Sequence, residues 1–279
     1  VGVDSDDVWM RDIGPTFVVD GGRTVAVDWQ FNAWGGASDG MMANWERDDR
    51  AAERIARFHG LPRVRAPLVL EGGSIHSDGA GTIYTTEECL LHPNRNPSLD
   101  RAQIEVLLGS HVGARKVVWL PSGLFMDTDT NGHVDNILHV VEPGHVLLTW
   151  CANSADPQHA RSLACRDLLE RERDARGERI RVTLLPMPGP LYMTAEEVAS
   201  FGGRAHHTRQ PGVRLAASYA NFLVSNQVVL FPLLDPARDD DARAVLRSVF
   251  PDHHIVGLPN AREILLGGGN IHCMTCQVI

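Results

Sequence analysis

The stretch TFVVDGGRTVAVDW, residues 16–29, sets the pattern from which the fold is predicted. Apolar and polar side chains alternate on both sides of Asp20-Gly21-Gly22, and paired glycines between two alternating runs are a strong signal for a tight β-hairpin. The stretch therefore predicts two antiparallel strands joined at Gly21 and Gly22.

A helix and a third strand are predicted after this hairpin. Residues 44–60 place Ile55 and Phe58 three positions apart, as on one face of a helix, and Gly60 suits the position that ends it. The short apolar run at residues 66–70 predicts a strand. Hairpin, helix and strand together make one predicted unit.

The same order of elements recurs along the rest of the chain. Hairpin, helix and strand are predicted at residues 74–86, 99–109 and 116–120, again at 136–150, 156–177 and 180–185, and again at 221–231, 235–250 and 253–258. Two of these helices are expected to begin after Asp-Pro pairs, Asp156-Pro157 and Asp235-Pro236, as an N-cap followed by a first-turn proline. A fifth unit begins at GGGNIHC, residues 267–273. Such self-similarity indicates α/β modules arranged around an axis.

Polar residues occupy the point at which each unit enters its hairpin. Side chains at equivalent points of a closed repeat converge on its axis, so residues far apart in sequence are expected to share one site. These residues are Asp12, Glu71, His133 with Asp135, Asn221 and Cys273.

This set combines a thiol, an imidazole, an amide and three carboxylates. An imidazolium beside a cysteine can lower the pKa of the thiol and produce a nucleophilic thiolate, and His133 could then act as acid and base. Clustered carboxylates repel one another unless a cation neutralises them, and a planar guanidinium offers paired donors that match them. The residues therefore suggest attack of a thiol on an amidine or guanidine carbon.

Each of these residues also has a purely structural interpretation. Cys273 could be a buried apolar thiol, His133 a residue at a strand entry and Asp12 the partner of Arg11. Glu71 could be a solvated loop acid, Asp135 a backbone cap and Trp9 a core residue, while a structural hydrogen bond is the favoured interpretation of Asn221.

A metal or redox site is the main rival. Ligand-type residues occur at His133, at the pairs His206-His207 and His253-His254 and at Cys273, but no HExxH or paired CxxC spacing is present. Cys273 and Cys276 have redox spacing without the preceding context of a thioredoxin-like fold. No metal and no cofactor is therefore expected.

The composition narrows the class of protein. The 279 residues are 43% hydrophobic, which is enough for one large or two modest cores, and the net charge of −9 disfavours nucleic acid or an anionic membrane as a partner. Five cysteines in such a chain do not form a disulfide framework, so a reducing cytoplasm is expected. A small cationic partner is compatible with the acidic balance, and the oligomeric state, including a homo-oligomer, is left open.

Several long motifs resemble those of agmatine deiminases, within the guanidine-modifying or pentein superfamily. They are VWMRDIGPTFV, EGGSIHSDGAGT with TTEECLL and RNP, DTDTNGHVDN, PMPGPLY, LAASYANF and EILLGGGNIHCMT, and they are spread over essentially the whole chain. The resemblance implies one catalytic domain over residues 1–279 with five α/β modules as a propeller. It implies hydrolysis of agmatine to N-carbamoylputrescine and ammonia without a cofactor.

The resemblance also implies roles for individual residues. Cys273 is the nucleophile and His133 the acid and base. Asp12 and Asp135 hold the guanidinium and Glu71 supports the imidazole or the substrate. Trp9 packs on the methylenes of the ligand, and Asp129 is the candidate partner of its distal ammonium.

The chain departs from the resembled pattern at two places. Cys276 stands where the family usually has Gln, which puts a second thiol close to the nucleophile in sequence. The chain also begins without Met, and the resemblance implies a further N-terminal portion that completes the ring. Rival activities on the same fold are deimination of peptidyl-arginine and amidino transfer, and a non-catalytic polyamine-binding protein is the alternative from another class.

Overall fold

The structure is a computed structural model that describes residues 2–201 and 208–278. Its strands are short and follow one another in groups of three. They are β1 (Thr16–Asp20), β2 (Arg23–Gln30), β3 (Arg63–Val69), β4 (Ile75–Ser77), β5 (Thr82–Thr86), β6 (Lys116–Leu120), β7 (Leu138–Glu142), β8 (His145–Trp150), β9 (Arg181–Pro186), β10 (Leu223–Ser225), β11 (Val228–Pro232) and β12 (His254–Leu258).

These strands form four separate three-stranded sheets. In each sheet the first two strands are an antiparallel hairpin, and the third lies parallel to the second. A parallel third strand requires a crossover connection, and helices provide it in every case. The predicted mixture of α and β structure is confirmed, and the predicted order of hairpin, helix and strand is observed four times.

The helices are mostly short, and the longer ones supply the crossovers. They are α1 (Met10–Ile13), α2 (Gly36–Asp39), α3 (Glu46–Asp49), α4 (Ala51–Phe58), α5 (Glu87–Leu90), α6 (Arg101–Val112), α7 (Val134–Ile137), α8 (Pro157–Leu169), α9 (Ala195–Ser200), α10 (Asp239–Val249) and α11 (Ala261–Leu266), with a 3₁₀ turn at Gly72–Ser74. No helix in the described ranges is long and apolar enough to cross a membrane.

The first hairpin has the predicted turn. Asp20 pairs with Arg23, and Gly21 and Gly22 between them both have positive φ, which a residue without Cβ adopts without strain. The following helix ends as predicted, since Gly60 has a φ of +65° just beyond α4. Its predicted apolar face is wrong, however. Phe58 is exposed, and α4 packs on β2 through small alanines, which allow a close approach.

The two Asp-Pro predictions have different outcomes. Asp156 caps α8 by accepting a hydrogen bond from the Gln158 N–H, as expected. The predicted start at Asp235 is wrong, because α10 begins only at Asp239. The carboxylate of Asp239 accepts from the N–H groups of Leu234 and Asp235 and holds this segment in a turn before the helix.

The apolar interior is divided into four clusters, and one of them adjoins the thiol of Cys273. This cluster packs Trp9, Ile13, Phe31 and Trp34 against Cys273, which joins the segment before β1 to the end of the chain. A backbone hydrogen bond of 3.0 Å from Arg11 N to the Cys273 carbonyl strengthens the same junction. The predicted nucleophile, Cys273, is therefore packed against buried apolar side chains.

Candidate active site

A small pocket opens beside the Gly run that precedes Cys273. Its lining includes the thiol of Cys273, the carboxylates of Asp7, Asp12 and Asp129, and the ring systems of Trp9 and Trp34. The run Gly267–Gly269 follows α11 directly, and a Cβ on Gly269 would lie 2.8 Å from the Trp9 ring and 2.9 Å from the Cys273 sulfur. Glycine is needed here because the backbone passes so close to both side chains.

Two polar side chains meet the sulfur of Cys273. Asn221 donates from Nδ2 to Sγ at 2.9 Å, and its Oδ1 accepts from the Cys273 N–H at 3.2 Å. The thiol in turn lies 3.4 Å from Oδ2 of Asp135, to which it donates. Burial, followed by the negative charges of Asp135 and Asp12, raises the pKa of Cys273 well above its usual range. These surroundings therefore favour the thiol form of Cys273 over the thiolate.

His133 lies among the carboxylates rather than against the sulfur. Its Nε2 is 3.5 Å from Oε2 of Glu71 and its Nδ1 is 3.9 Å from Oδ1 of Asp12, and the ring is completely buried. Burial alone would lower the pKa of His133, but the charge of Asp12 and the neighbouring Cys89 and Glu71 outweigh it and raise this pKa well above its usual range. The surrounding groups therefore favour the imidazolium form of His133.

Asp12 and Asp135 place two buried carboxylates beside Gly73. Oδ2 of Asp12 accepts from the Trp34 indole N–H at 2.8 Å, and its Oδ1 accepts from the Gly73 N–H at 3.0 Å. Burial, against the opposing charge of His133, raises the pKa of Asp12 to about 6. Asp135 differs, since His272 and nearby positive charges outweigh burial and lower its pKa.

Gly73 lets these groups come together. A Cβ at this position would lie 2.6 Å from Nδ1 of His133, 2.8 Å from Oδ1 of Asp12 and 3.0 Å from Oδ2 of Asp135. Its backbone is not left-handed, so close approach alone explains the glycine. The second Gly of the Glu-Gly-Gly motif therefore marks the centre of the site.

Glu71 is held by a fully buried arginine. Arg95 donates from Nε to Oε1 of Glu71 at 2.7 Å, and its other donors reach the carbonyls of Trp34 and Thr130 and the Asn131 side chain. Burial would raise the pKa of Glu71, but Arg95 and His133 reverse the effect and lower it to about 2. Glu71 is therefore a fixed anion beside the imidazole.

Asp129 is present at the pocket but already has a partner. Its Oδ2 accepts from Nη2 of Arg209 at 2.6 Å, and the same guanidinium donates to the carbonyls of Leu266 and Gly267 at the start of the Gly run. A ligand ammonium would share this carboxylate with Arg209. No local pattern predicts this ion pair, which joins positions 80 residues apart.

The structure brings together Cys273, His133, Asp135, Asp12, Glu71 and Trp9, as the sequence predicts. Asn221 makes hydrogen bonds, as the favoured structural interpretation expects, and one of them is to the Cys273 sulfur. Cys276 lies elsewhere, because it lines a second cavity and its Sγ approaches the Pro15 carbonyl at 3.4 Å. His272 and Arg95 were not predicted to be site residues. The only feature of the sequence that could have indicated them is that both lie inside motifs shared with the agmatine deiminases.

The ligand-type residues do not form a favourable metal site. Within the described residues, the one close group is Glu71, Cys89 and His133, whose ligand atoms lie within 4.8 Å of one another. Arg95 already bonds Glu71 there, and its charge would repel a metal ion. The pair His206-His207 lies outside the described residues, and His253-His254 belongs to no such group there.

Comparison with known proteins finds a family and relatives that match nearly the whole chain. Residues 1–278 match the family described as Porphyromonas-type peptidyl-arginine deiminase. A protein of Photobacterium profundum named "Putative agmatine deiminase" is 51% identical over 275 residues, which is 98% of this chain and 75% of that protein. A protein of the same name from Marinomonas is 52% identical over 277 residues, 99% of this chain and 74% of that one.

Two solved structures are also similar. That of the agmatine deiminase of Enterococcus faecalis has a TM-score of 0.90 and 36% identity, and it covers 98% of this chain and 74% of that one. A C. jejuni agmatine deiminase with a cysteine-to-serine replacement, solved with substrate bound, has a TM-score of 0.82, 28% identity and coverage of 98% and 74%. The match over residues 1–278 and the identity to these relatives show that this chain belongs to the Porphyromonas-type peptidyl-arginine deiminase family.

Proposed function

We propose that this protein hydrolyses agmatine to N-carbamoylputrescine and ammonia through a covalent intermediate on Cys273. The observation that carries the proposal is the cluster formed by one thiol, one imidazole and three carboxylates. Sγ of Cys273 lies 3.4 Å from Asp135, and the His133 ring nitrogens lie 3.5 Å from Glu71 and 3.9 Å from Asp12. Cys273 and Asp12 also line the small pocket. The relatives named agmatine deiminase support the choice of agmatine among guanidines.

The carboxylates bind and orient the substrate cation. Asp12 and Asp135 both place a carboxylate oxygen beside Gly73, and Oδ1 of Asp135 is buried without a hydrogen-bond partner among the described residues. A guanidinium donates pairs of N–H groups to carboxylates, so it satisfies this oxygen and neutralises the site. Trp9 packs on the methylenes of the ligand, and Asp129, shared with Arg209, is our candidate for its distal ammonium.

Substrate binding prepares the nucleophile. The cation lowers the cost of a second negative charge beside Asp135, so the Cys273 thiol releases its proton and the thiolate attacks the guanidinium carbon. Asn221 Nδ2, at 2.9 Å, stabilises the negative sulfur. Formation of the C–S bond gives a neutral tetrahedral adduct.

His133 moves the protons in both half-reactions. As an imidazolium it gives its proton to the departing amino group, the C–N bond breaks, and ammonia leaves behind a thiouronium cation. The neutral imidazole then takes a proton from water, hydroxide adds to the same carbon, and the C–S bond breaks to return the thiolate. The remaining proton on the ureido product passes to ammonia. The proton that the Cys273 thiol released to solvent when the substrate bound returns to the thiolate when the product leaves, which restores the enzyme and balances the reaction.

The finer architecture is part of the same proposal. We infer one catalytic domain over residues 1–279 in which the modules surround the site as in a five-module propeller. Support comes from the four sheets of one topology and from the contribution of residues 12, 71, 133, 221 and 273 to one site.

An ammonia-release assay tests the activity. Agmatine, arginine, guanidinobutyrate and an arginine peptide are compared at equal concentration, with glycine or ornithine added in a parallel series. We expect ammonia and N-carbamoylputrescine from agmatine, and a loss on the order of 10⁴-fold or more in Cys273→Ser with binding of agmatine retained. Faster ammonia release from the peptide would replace the proposal with peptidyl-arginine deimination, and an amidino product of glycine or ornithine would replace it with amidino transfer. Tight binding of agmatine without ammonia release would indicate a non-catalytic polyamine-binding protein.

A further inference from the structure

His272 and Cys273 are consecutive residues that contact the same atom from different sides. Nδ1 of His272 lies 2.8 Å from Oδ2 of Asp135, and the sulfur of Cys273 lies 3.4 Å from that oxygen. The two side chains otherwise face different spaces. Cys273 lines the substrate pocket, whereas His272 lines a cavity of about 360 Å³ together with Arg11 and His76.

The other oxygen of Asp135 is left open. Oδ1 is buried and has no hydrogen-bond partner among the described residues. The open oxygen of a carboxylate points toward a substrate N–H in a constant direction only if rotation of the carboxylate is restricted. His272 provides the short contact that fixes it, because the thiol contact is longer and sulfur is a weak donor.

The groups around His272 favour its neutral form. Its ring is stacked 5.4 Å from that of His76 at 13° and lies 5.6 Å from that of His139. The groups that face it are Asp135, Arg11, His76, His139 and His133, and burial together with the charge of Arg11 lowers the pKa of His272. A neutral imidazole beside a carboxylate places its single proton on the nitrogen that faces the acceptor, so Nδ1 donates.

We propose that His272 is a positioning residue, which fixes Oδ2 of Asp135 so that Oδ1 receives the substrate and the carboxylate stays compensated when Cys273 ionises. The inference rests on the proposed function and names a residue that supports it. Once the thiol has lost its proton, its hydrogen bond to Asp135 is gone and two negative atoms face each other. The N–H of His272 still donates to Oδ2 at that point. Its stabilising effect is therefore largest when Cys273 is the thiolate that attacks the substrate.

Two substitutions separate this role from mere packing. Asn places an amide N–H near the position of Nδ1, whereas Leu fills similar space without a donor. We expect His272→Leu to lower kcat by roughly 10²-fold, as for loss of one donor to a developing charge, and to raise KM by a smaller factor, because Asp135 remains to accept the substrate N–H but is less well fixed. His272→Asn should restore most of the lost kcat. His76→Gln, which alters the stacked neighbour, is the matched control and should retain kcat.

The pH dependence of alkylation of Cys273 by a small haloacetamidine gives a readout independent of turnover. The mass of the Cys273 peptide reports the reaction, and we expect the midpoint to move to higher pH in His272→Leu but not in His272→Asn or His76→Gln. Equal impairment of the Asn and Leu variants, or an unchanged midpoint and kcat in the Leu variant, would overturn the inference. If the native protein released no ammonia from agmatine, the proposed function would fail while the alkylation series still decided the role of His272.

Discussion

Asp12 is the residue whose protonation should limit the reaction in acid. Its pKa is raised to about 6 by burial, so it takes up a proton as the pH falls through this value and no longer attracts the guanidinium. We expect kcat/KM for agmatine to fall about tenfold per pH unit below that point. A pH profile of the native enzyme checks this.

The matched variant for this prediction is Asp12→Asn. It should lower kcat/KM throughout and remove the acid limb near pH 6, because the titrating group is gone. Persistence of the same limb in Asp12→Asn would assign it to another group.

The residue types in the sequence indicated the chemistry of the site. They did not indicate which residues hold the acids of the site in position. The acids, the imidazole and the thiol were identifiable because each lies in a motif at a module entry. Arg95, His272 and Arg209 act through partners 24, 137 and 80 positions away, and no local pattern encodes such pairings. The same limit explains why the ion pair between Asp129 and Arg209 was not predicted.

The 3₁₀ turn at Gly72–Ser74 controls how closely the site elements approach one another. Gly73→Ala would place a methyl group within 3.0 Å of His133, Asp12 and Asp135. We expect kcat to fall by about 10²-fold, since small displacements of catalytic groups have such effects. Ammonia release, measured at a temperature where the variant is folded, gives the result.

Gly79→Ala is the control for a glycine-to-alanine substitution that creates no close contact. Gly79 has a φ of +69° and nothing within 4 Å of an added Cβ, so the variant should lose about 1 kcal/mol of stability through backbone strain. Its kcat should be unchanged. If both variants lost kcat equally, the close approach at Gly73 would not be the cause.

Local signals predicted elements well where the signal and the partner lie close in sequence. The Gly21-Gly22 turn and the Asp156 cap depend on neighbours within a few residues. At Asp235-Pro236 the local bond does form, since Oδ1 of Asp235 accepts from the Ala237 N–H at 3.0 Å, but it caps only a turn and α10 begins at Asp239. A local cap signal therefore does not by itself determine where a helix begins.

At the scale of the whole molecule, Arg95 links segments that belong to different modules. It bonds Glu71, the Trp34 carbonyl and the 130–131 segment, and its side chain and that of Glu71 are fully buried. We expect Arg95→Met to lower the free energy of unfolding by about 3 to 5 kcal/mol, because an uncompensated buried carboxylate remains. Urea unfolding at neutral pH measures this.

The pH dependence of stability distinguishes the charge of this pair from its packing. The pKa of Glu71 is depressed from 4.5 to about 2, so its contribution is present above pH 4.5 and is lost as the pH falls toward 2. The stability difference between native protein and Arg95→Met should therefore shrink over this range. A constant difference would indicate that packing alone is responsible.

The central claim is that Cys273 becomes covalently bonded to the guanidinium carbon during turnover. Acid quenching of the enzyme with saturating agmatine, followed by mass spectrometry of the Cys273 peptide, tests it most directly. We predict an adduct with the mass of agmatine less ammonia on Cys273, absent from Cys273→Ser. Steady release of ammonia from an enzyme whose Cys273 is never modified would contradict the account.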